Sequence, residues 1–336
     1  MIRPVVAILG PTASGKSELA QHVALRLNGE VVSADSMQVY KGMDIGTAKI
    51  PRSKMLVPHH LIDILDPGEA FSAQLFQSLS RSCFSDIQDR GKVPVLCGGT
   101  GLYVQSALED MRFPKGDQEH NPVRVKYENV ARRFGNQAVW DRLNEVDSAS
   151  AALLHPNNVR RVIRALEMHE QGVSYATQVK GMKELPEVVH SVRFALKRDP
   201  DLLAARIDKR VDNMFEEGLV NEVELLLNDG WRAALTAPQA IGYKEVVSAL
   251  DGDISMSDAV ELIKTATRRY AKRQRTWLRR DGRLVWLDAK SSCAYAIILE
   301  LCVADRFPPR NLPFRKDLEN PPCNNKIGRA SCRERV

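Results

Sequence analysis

Gly10-Pro-Thr-Ala-Ser-Gly-Lys-Ser17 decides how this chain is read, because it satisfies G-x-x-x-x-G-K-[ST] in full. Upstream, Val5-Val-Ala-Ile-Leu9 is a short continuous apolar run, the pattern of a strand buried on both faces. Downstream, Leu19, Val23 and Leu27 recur every four residues and predict a helix. Strand, glycine loop and helix together make an anion site. The backbone N–H groups of the loop and the helix N-terminus converge on one spot. Lys16 then reaches the outer phosphate and Ser17 is placed to ligate Mg²⁺. The loop implies a diphosphate or triphosphate but leaves the reaction open.

Outward from the loop, strands and helices alternate. Further strands are expected at Glu30–Ser33 and Val93–Cys97, with a helix at 72–88 whose Leu75, Phe76, Leu79, Cys83 and Ile87 share a face. This alternation predicts an α/β fold, a P-loop NTPase-like parallel sheet flanked by helices. Ligands in such sheets bind beyond the carboxyl ends of the strands, which places Asp35 and Thr100 beside the loop. Residues 1–112 read as the first part of this core and 113–190 as a mainly helical insertion, with helices at 123–133, 138–145 and 158–171 and a short one within 147–154. The core resumes over 191–304 with Phe194–Leu196 in the sheet, a helical run over 201–228 interrupted at Gly218, a helix at 257–280 and a strand at 283–287. Residues 305–336 read as a disordered or artefactual tail; the last ten resemble a translated sequencing adapter.

Two constellations carry chemistry. Asp35 follows a strand within Ser33-Ala-Asp-Ser-Met-Gln-Val-Tyr40. It can hold Mg²⁺ through water, act as a general base, or simply cap a turn. The helix over Lys264–Arg280 holds eight Lys or Arg and no acid. Arg268, Lys272, Arg275 and Arg279 form one stripe at helical spacing, flanked by Arg269, Arg273 and Arg280. Cations this dense repel one another and are compensated by a polyanion. Arg160 and Arg164, and again Arg206 and Arg210, lie one turn apart. Each pair could clamp phosphate; each could equally form surface ion pairs, for the second with Asp208 or Asp212. His59 and His60 project to opposite sides of an extended segment, which favours a structural role over metal binding. No strand ends in the acid pair expected of many NTP hydrolases, which favours group transfer over a motor ATPase.

A net charge of +6 over 336 residues is a mild bias toward an anionic partner. The six cysteines form no C-x-x-C pair. Met1-Ile-Arg-Pro leads directly into a strand, and the most apolar late stretch, 294–303, is broken by Glu300. A cytoplasmic enzyme without membrane attachment, and a monomer, is expected.

Taken together these residues resemble the tRNA dimethylallyltransferase (tRNA isopentenyltransferase) family, bacterial type. The likeness rests on 10–17, 33–49, Pro58-His-His-Leu-Ile-Asp-Ile-Leu-Asp-Pro67, Gly98-Gly-Thr-Gly-Leu-Tyr103, His155-Pro-Asn-Asn-Val-Arg-Arg161, Gln239-Ala-Ile-Gly-Tyr-Lys244 and 266–279, and covers about residues 3–290. It implies transfer of a dimethylallyl group from dimethylallyl diphosphate to N6 of the adenosine 3′ to the anticodon, in tRNAs reading codons that start with U. The loop of Gly10, Pro11, Thr12, Ala13, Ser14, Gly15, Lys16 and Ser17 would then hold the diphosphate with Arg206 and Arg210, and Mg²⁺ would be the cofactor. Asp35, Thr100 and Lys16 would be catalytic, with Asp35 the base. The anticodon stem-loop would meet Asp35, Ser36, Met37, Gln38, Arg160, Arg161, Arg164, Gln239, Gly242, Tyr243 and Lys244, and Lys272, Arg273, Gln274, Arg275, Trp277 and Arg279. Rival readings are an adenylate isopentenyltransferase acting on free AMP, ADP or ATP, a P-loop nucleotide kinase, and a non-catalytic RNA-binding protein. The helical insertion and basic helix argue against the first, because a mononucleotide needs neither.

Overall fold

Strand β1 (Val5–Leu9) is buried along its whole length, and that burial explains its unbroken apolar sequence. The computed structural model describes residues 3–113, 121–182, 185–228, 231–233, 236–289 and 293–303. In chain order β1 is followed by α1 (Lys16–Arg26), β2 (Gly29–Ala34), β3 (His59–His60), α2 (Ala73–Asp89), β4 (Val93–Gly98) and α3 (Gly101–Leu108). Then come α4 (Pro122–Val146), α5 (Ser148–Ala151), α6 (Val159–Glu170) and α7 (Tyr175–Gly181). The chain continues through β5 (Ser191–Lys197), α8 (Pro200–Glu216), α9 (Leu219–Asn228), α10 (Tyr243–Leu250), α11 (Met256–Leu278), β6 (Leu284–Asp288) and α12 (Cys293–Val303).

The six strands form one sheet in the order β3-β2-β4-β1-β5-β6, every neighbouring pair parallel. From β1 the chain crosses past the β4 position to β2, and β5 later pairs on the other side of β1. The loop after β1 therefore opens at a switch of strand order, where such sheets form their crevice. One face of the sheet packs on α1 and α12, with Val23, Ala24, Ala294 and Ile298 buried there. The other carries the larger core, in which Phe76, Tyr103, Tyr243 and Ile263 meet. The apolar 294–303 run is thus a helix covering the sheet. Among the described residues no helix is long and apolar enough to cross a membrane.

The chain divides into two compact units, 1–108 with 189–336 and 109–188. In the second, Tyr127, Val139, Leu143, Val162, Ile163 and Leu166 form a separate apolar core. The helices expected at 123–133 and 138–145 are two segments of α4, broken at Gly135, whose φ of 84° and ψ of 168° leave the helical region. Asp147 caps the short α5 by accepting the Ser150 N–H. The expectation of a tail at 305–336 lies outside the described residues.

Candidate active site

Three strand ends build the site. After β1 the glycine loop turns into α1, and the Gly10 N–H donates to the Gly98 carbonyl at 3.3 Å, joining it to the turn after β4. After β2 comes Asp35, whose Oδ1 accepts the Met37 N–H at 3.0 Å. That bond fixes the turn and leaves the second carboxylate oxygen for other work. Ser33 Oγ donates to Gln38 Oε1 at 3.0 Å, and Gln38 Nε2 donates to the Thr47 carbonyl at 3.2 Å, tying the segment down internally.

The electrostatics are one-sided. Lys16 keeps some accessible surface, yet its ammonium group is packed round by protein. Burial pulls its pKa below the ordinary value and Arg210 adds to this, while Cys97 and Asp35 oppose it. Burial lowers Arg210 too, again against Asp35. One carboxylate therefore faces two desolvated cations. The Cys97 thiol at the end of β4 hydrogen-bonds with Ser17 and is pushed up by burial to about 11, so it stays a neutral thiol.

Arg206 and Arg210 sit one turn apart on α8 and both reach the loop. Arg206 Nε donates to the Ala13 carbonyl at 3.0 Å, and Arg210 Nη1 donates to Thr12 Oγ1 at 3.1 Å. The alternative of ion pairs with neighbouring acids does not hold, because Asp208 binds Arg268 and Asp212 binds Lys264. Arg198, which the sequence reading passed over, donates from Nη2 to the Ser14 carbonyl at 3.3 Å. The anion loop is thus braced from outside by arginines.

Lys16, Ser17, Ser33, Asp35, Cys97 and Arg210 line a small pocket against the loop, and a larger cavity of about 450 Å³ opens beside it. Thr12, Asp35, Thr47 and Arg210 line both spaces, so Asp35 stands where they join. Met37, Val211, Met214 and Ile263 give the larger space an apolar wall, while Lys244, Arg269 and Arg273 give it cationic groups. Ser36 and Gln239 line it as well. Thr100 Oγ1 lies 3.5 Å from the Tyr270 hydroxyl, whose pKa burial raises, with Asp35 adding to the effect.

The basic helix α11 is not arranged as its charge stripe suggests. Arg268 is held by Asp208 at 2.6 Å, and Arg275 is half-buried. The exposed cations are Arg269, Lys272, Arg273, Arg279 and Arg280. The resemblance puts Gln274 and Trp277 at the RNA surface, whereas the helical spacing of Ile263, Ala266, Tyr270 and Trp277 puts Trp277 on the core face; both side chains turn inward. Gln274 Oε1 accepts the Thr12 N–H at 2.9 Å. The Trp277 ring lies so close to Gly101 that a Cβ there would overlap it, and Gly99 meets Gln274 the same way. Gly99 and Gly101 therefore admit this helix at contact distance.

Tyr243 is likewise buried; its hydroxyl donates to Glu222 Oε1 at 2.6 Å. Gly242 donates its N–H to Glu245 at the start of α10, whereas Lys244 is exposed enough to face a ligand. Gln38 has its polar groups occupied within the protein. In the helical unit Arg160 and Arg161 are exposed, but Arg164 pairs with buried Glu167 at 2.9 Å, which Arg124 also binds. Gln274, Trp277, Tyr243 and Arg164 turn inward because each lies on a helix, and a helix at the surface presents one face to its own core.

Glu222 gave no signal in the sequence. Its carboxylate collects the N–H groups of Asp44, Ile45 and Gly46 at 3.0, 2.8 and 3.2 Å, fixing the loop that presents Thr47. His60 binds Glu30 and His59 binds the Val57 carbonyl, so the two rings serve separate structural contacts. Among the described residues no group of three His, Cys, Asp or Glu could hold a metal ion.

The model of the IPP transferase family matches residues 38–281. A tRNA dimethylallyltransferase of Bacillus subtilis (strain 168) is 47% identical over 290 residues, 85% of this chain and 91% of that protein. The crystal structure of the full-length tRNA isopentenylpyrophosphate transferase of Bacillus halodurans is 42% identical with a TM-score of 0.65, covering 90% of this chain and 96% of that one. A eukaryotic dimethylallyltransferase captured acting on tRNA is 29% identical with a TM-score of 0.75, covering 94% of this chain and 83% of that one. With a match over most of its length and a fold shared with solved relatives, this chain is an enzyme that belongs to the IPP transferase family.

Proposed function

We propose that this chain transfers the dimethylallyl group of dimethylallyl diphosphate to N6 of the adenosine 3′ to the anticodon, in tRNAs that read codons beginning with U. The observation that carries this reading is the position of Asp35 at the junction of the cationic loop pocket and the larger cavity. The reaction breaks the allylic C1–O bond and forms an N6–C1 bond. The departing diphosphate takes the bonding electrons, and its growing charge meets loop N–H groups, Lys16 and Arg210. The exocyclic amine is a weak nucleophile and must lose a proton, which Asp35 would accept.

The adenine must leave its stack to reach a base at the bottom of a cavity. Arg269, Lys272, Arg273 and Arg279 on α11 offer phosphate contacts that would hold the RNA backbone during that movement. In the helical unit, Arg160 and Arg161 are exposed cations that would contact phosphate. Mg²⁺ would be held by Ser17 and by diphosphate oxygens, with Asp35 as a partner through water. When bound, the ion neutralises charge on the leaving group.

The test is label transfer from radiolabelled dimethylallyl diphosphate with unmodified tRNA and AMP as parallel acceptors. Label in tRNA alone is expected; label in AMP would favour an adenylate isopentenyltransferase. Asp35→Asn is expected to lower kcat by about 10²–10⁴-fold while tRNA affinity is kept. Near-normal turnover in that variant would remove Asp35 as the base.

A further inference from the structure

Helix α11 has two faces with different partners. Its outward face carries Arg269, Lys272, Arg273 and Arg279, all exposed. Its inward face places Tyr270, Gln274 and Trp277 at i, i+4 and i+7, each against one of the two glycine turns. Among these, Gln274 makes the contact that reaches the anion loop itself. It is 6% exposed, so its amide must be satisfied inside the protein. Its oxygen takes the Thr12 N–H at 2.9 Å, and its side chain also hydrogen-bonds with Tyr270.

That bond has a consequence for the loop. It fixes the peptide of Thr12, whose hydroxyl in turn accepts Arg210 Nη1 at 3.1 Å. Arg210 Nη2 continues to the Thr47 carbonyl at 3.4 Å. A continuous series of contacts thus runs from the helix with the RNA-facing cations to the arginine and loop facing the diphosphate. A shift or tightening of α11 moves Gln274, and with it the geometry in which Thr12 and Arg210 meet an anion. Linkage makes any such effect mutual: if RNA on α11 favours the ordered loop, an anion in the loop favours RNA.

We propose that Gln274 is a positioning residue that couples the RNA-facing helix to the diphosphate loop, so that tRNA and diphosphate each strengthen binding of the other. This rests on the prenyl-transfer reading above. Gln274 touches neither substrate in this account; it acts through Thr12 and Arg210.

The probe is inorganic pyrophosphate, titrated calorimetrically with and without saturating unmodified tRNA. Wild-type protein is expected to bind pyrophosphate at least about fivefold more tightly when tRNA is present, within the usual range of such couplings. Gln274→Met keeps the shape but removes the acceptor, and its coupling factor should fall toward one. Gln274→Glu restores an acceptor for Thr12 and should recover part of the coupling. A side chain that merely supports the fold would lower the melting temperature of both variants and leave the ratio intact. No coupling in the wild type, or a wild-type ratio in Gln274→Met, overturns the proposal.

Amide exchange of residues 10–16 in the wild-type protein is the second measurement, and it needs no variant. tRNA alone should slow exchange there, and an unchanged rate counts equally against the proposal. Label transfer to tRNA is measured first on the same preparation. Transfer without coupling sinks only the role of Gln274, whereas absence of transfer sinks the reading on which it rests.

Discussion

The two ends of strand β2 treat buried charge in opposite ways. At its start Glu30 is 2% exposed and surrounded by cations. Arg90 binds both its oxygens at 2.5 and 2.8 Å, Lys92 one at 2.6 Å and His60 the other at 2.7 Å. These bonds, Arg90 first, hold its carboxyl well below the usual range. Just beyond the other end, Asp35 faces Lys16 and Arg210, both pulled down by burial. In the first cluster only the carboxylate is buried: Arg90 and Lys92 reach solvent and Arg90 is shared with Asp86, so no buried cation is left over. The second is left with more positive charge than its single carboxylate offsets, a cost to folding that an anionic ligand removes. Buried cations that outnumber their carboxylate point to a ligand more directly than a buried carboxylate whose cations reach water.

The most severe way to break this contrast is Lys16→Met. Transfer is expected to fall by about 10²–10³-fold, the effect of losing one strong donor to a developing charge. Its melting temperature should match or exceed that of the wild type, because a buried cation has been replaced by an apolar chain. A clear loss of stability would show that Lys16 belongs to the same class as Glu30.

Glu30→Gln is the mirror test. It should cost about 2 kcal/mol in urea unfolding at neutral pH, as charge-assisted hydrogen bonds are weakened, with kcat of the folded enzyme unchanged. The pH dependence has a defined sign. The carboxyl titrates lower in the folded protein than its ordinary 4.5, so its contribution is complete above that value and is lost as pH falls below it. Wild-type protein should therefore lose stability more steeply below pH 4.5 than Glu30→Gln.

The smallest expected effect sharpens the other end. Lys16 titrates below its ordinary 10.5, so its charge is lost as pH rises through a window that opens below that value. Pyrophosphate affinity should decline there in wild-type protein relative to Lys16→Arg, in which the cation persists. The ligand's own titration is common to both proteins and cancels in the ratio. Folding stability runs the other way, rising with pH in that window as the cost of burying the charge disappears. Parallel curves for the two proteins would mean that Lys16 keeps its proton throughout.

Much of the fold was legible because local rules carried it. Val5–Leu9, Gly10–Ser17 and the helical spacing after it announce strand, loop and helix within a short span. Asp199 before Pro200 and Ser255 before Asp258 act as the helix caps their residue types favour. Gly218 separates α8 from α9 for an equally local reason, its φ of 99°. The break at Gly135 was less legible, since a lone glycine in a polar helix is compatible with continuity until its backbone angles are known.

The site was legible only in part. Charge and spacing marked α11 as a polyanion face, yet they do not say which groups of the glycine turns Tyr270, Gln274 and Trp277 meet. By itself, the sequence determined the anion loop, the acid after β2 and the excess of cations on the last long helix, because each depends on residues adjacent along the chain. Only the tertiary structure decided that Gln274 meets Thr12, that Glu222 gathers the 44–46 amides, and that Asp208 and Asp212 leave Arg206 and Arg210 to the loop. Those pairings join residues far apart in the chain, and which groups meet is settled by packing the helices onto the sheet, where each buried polar group must find a partner.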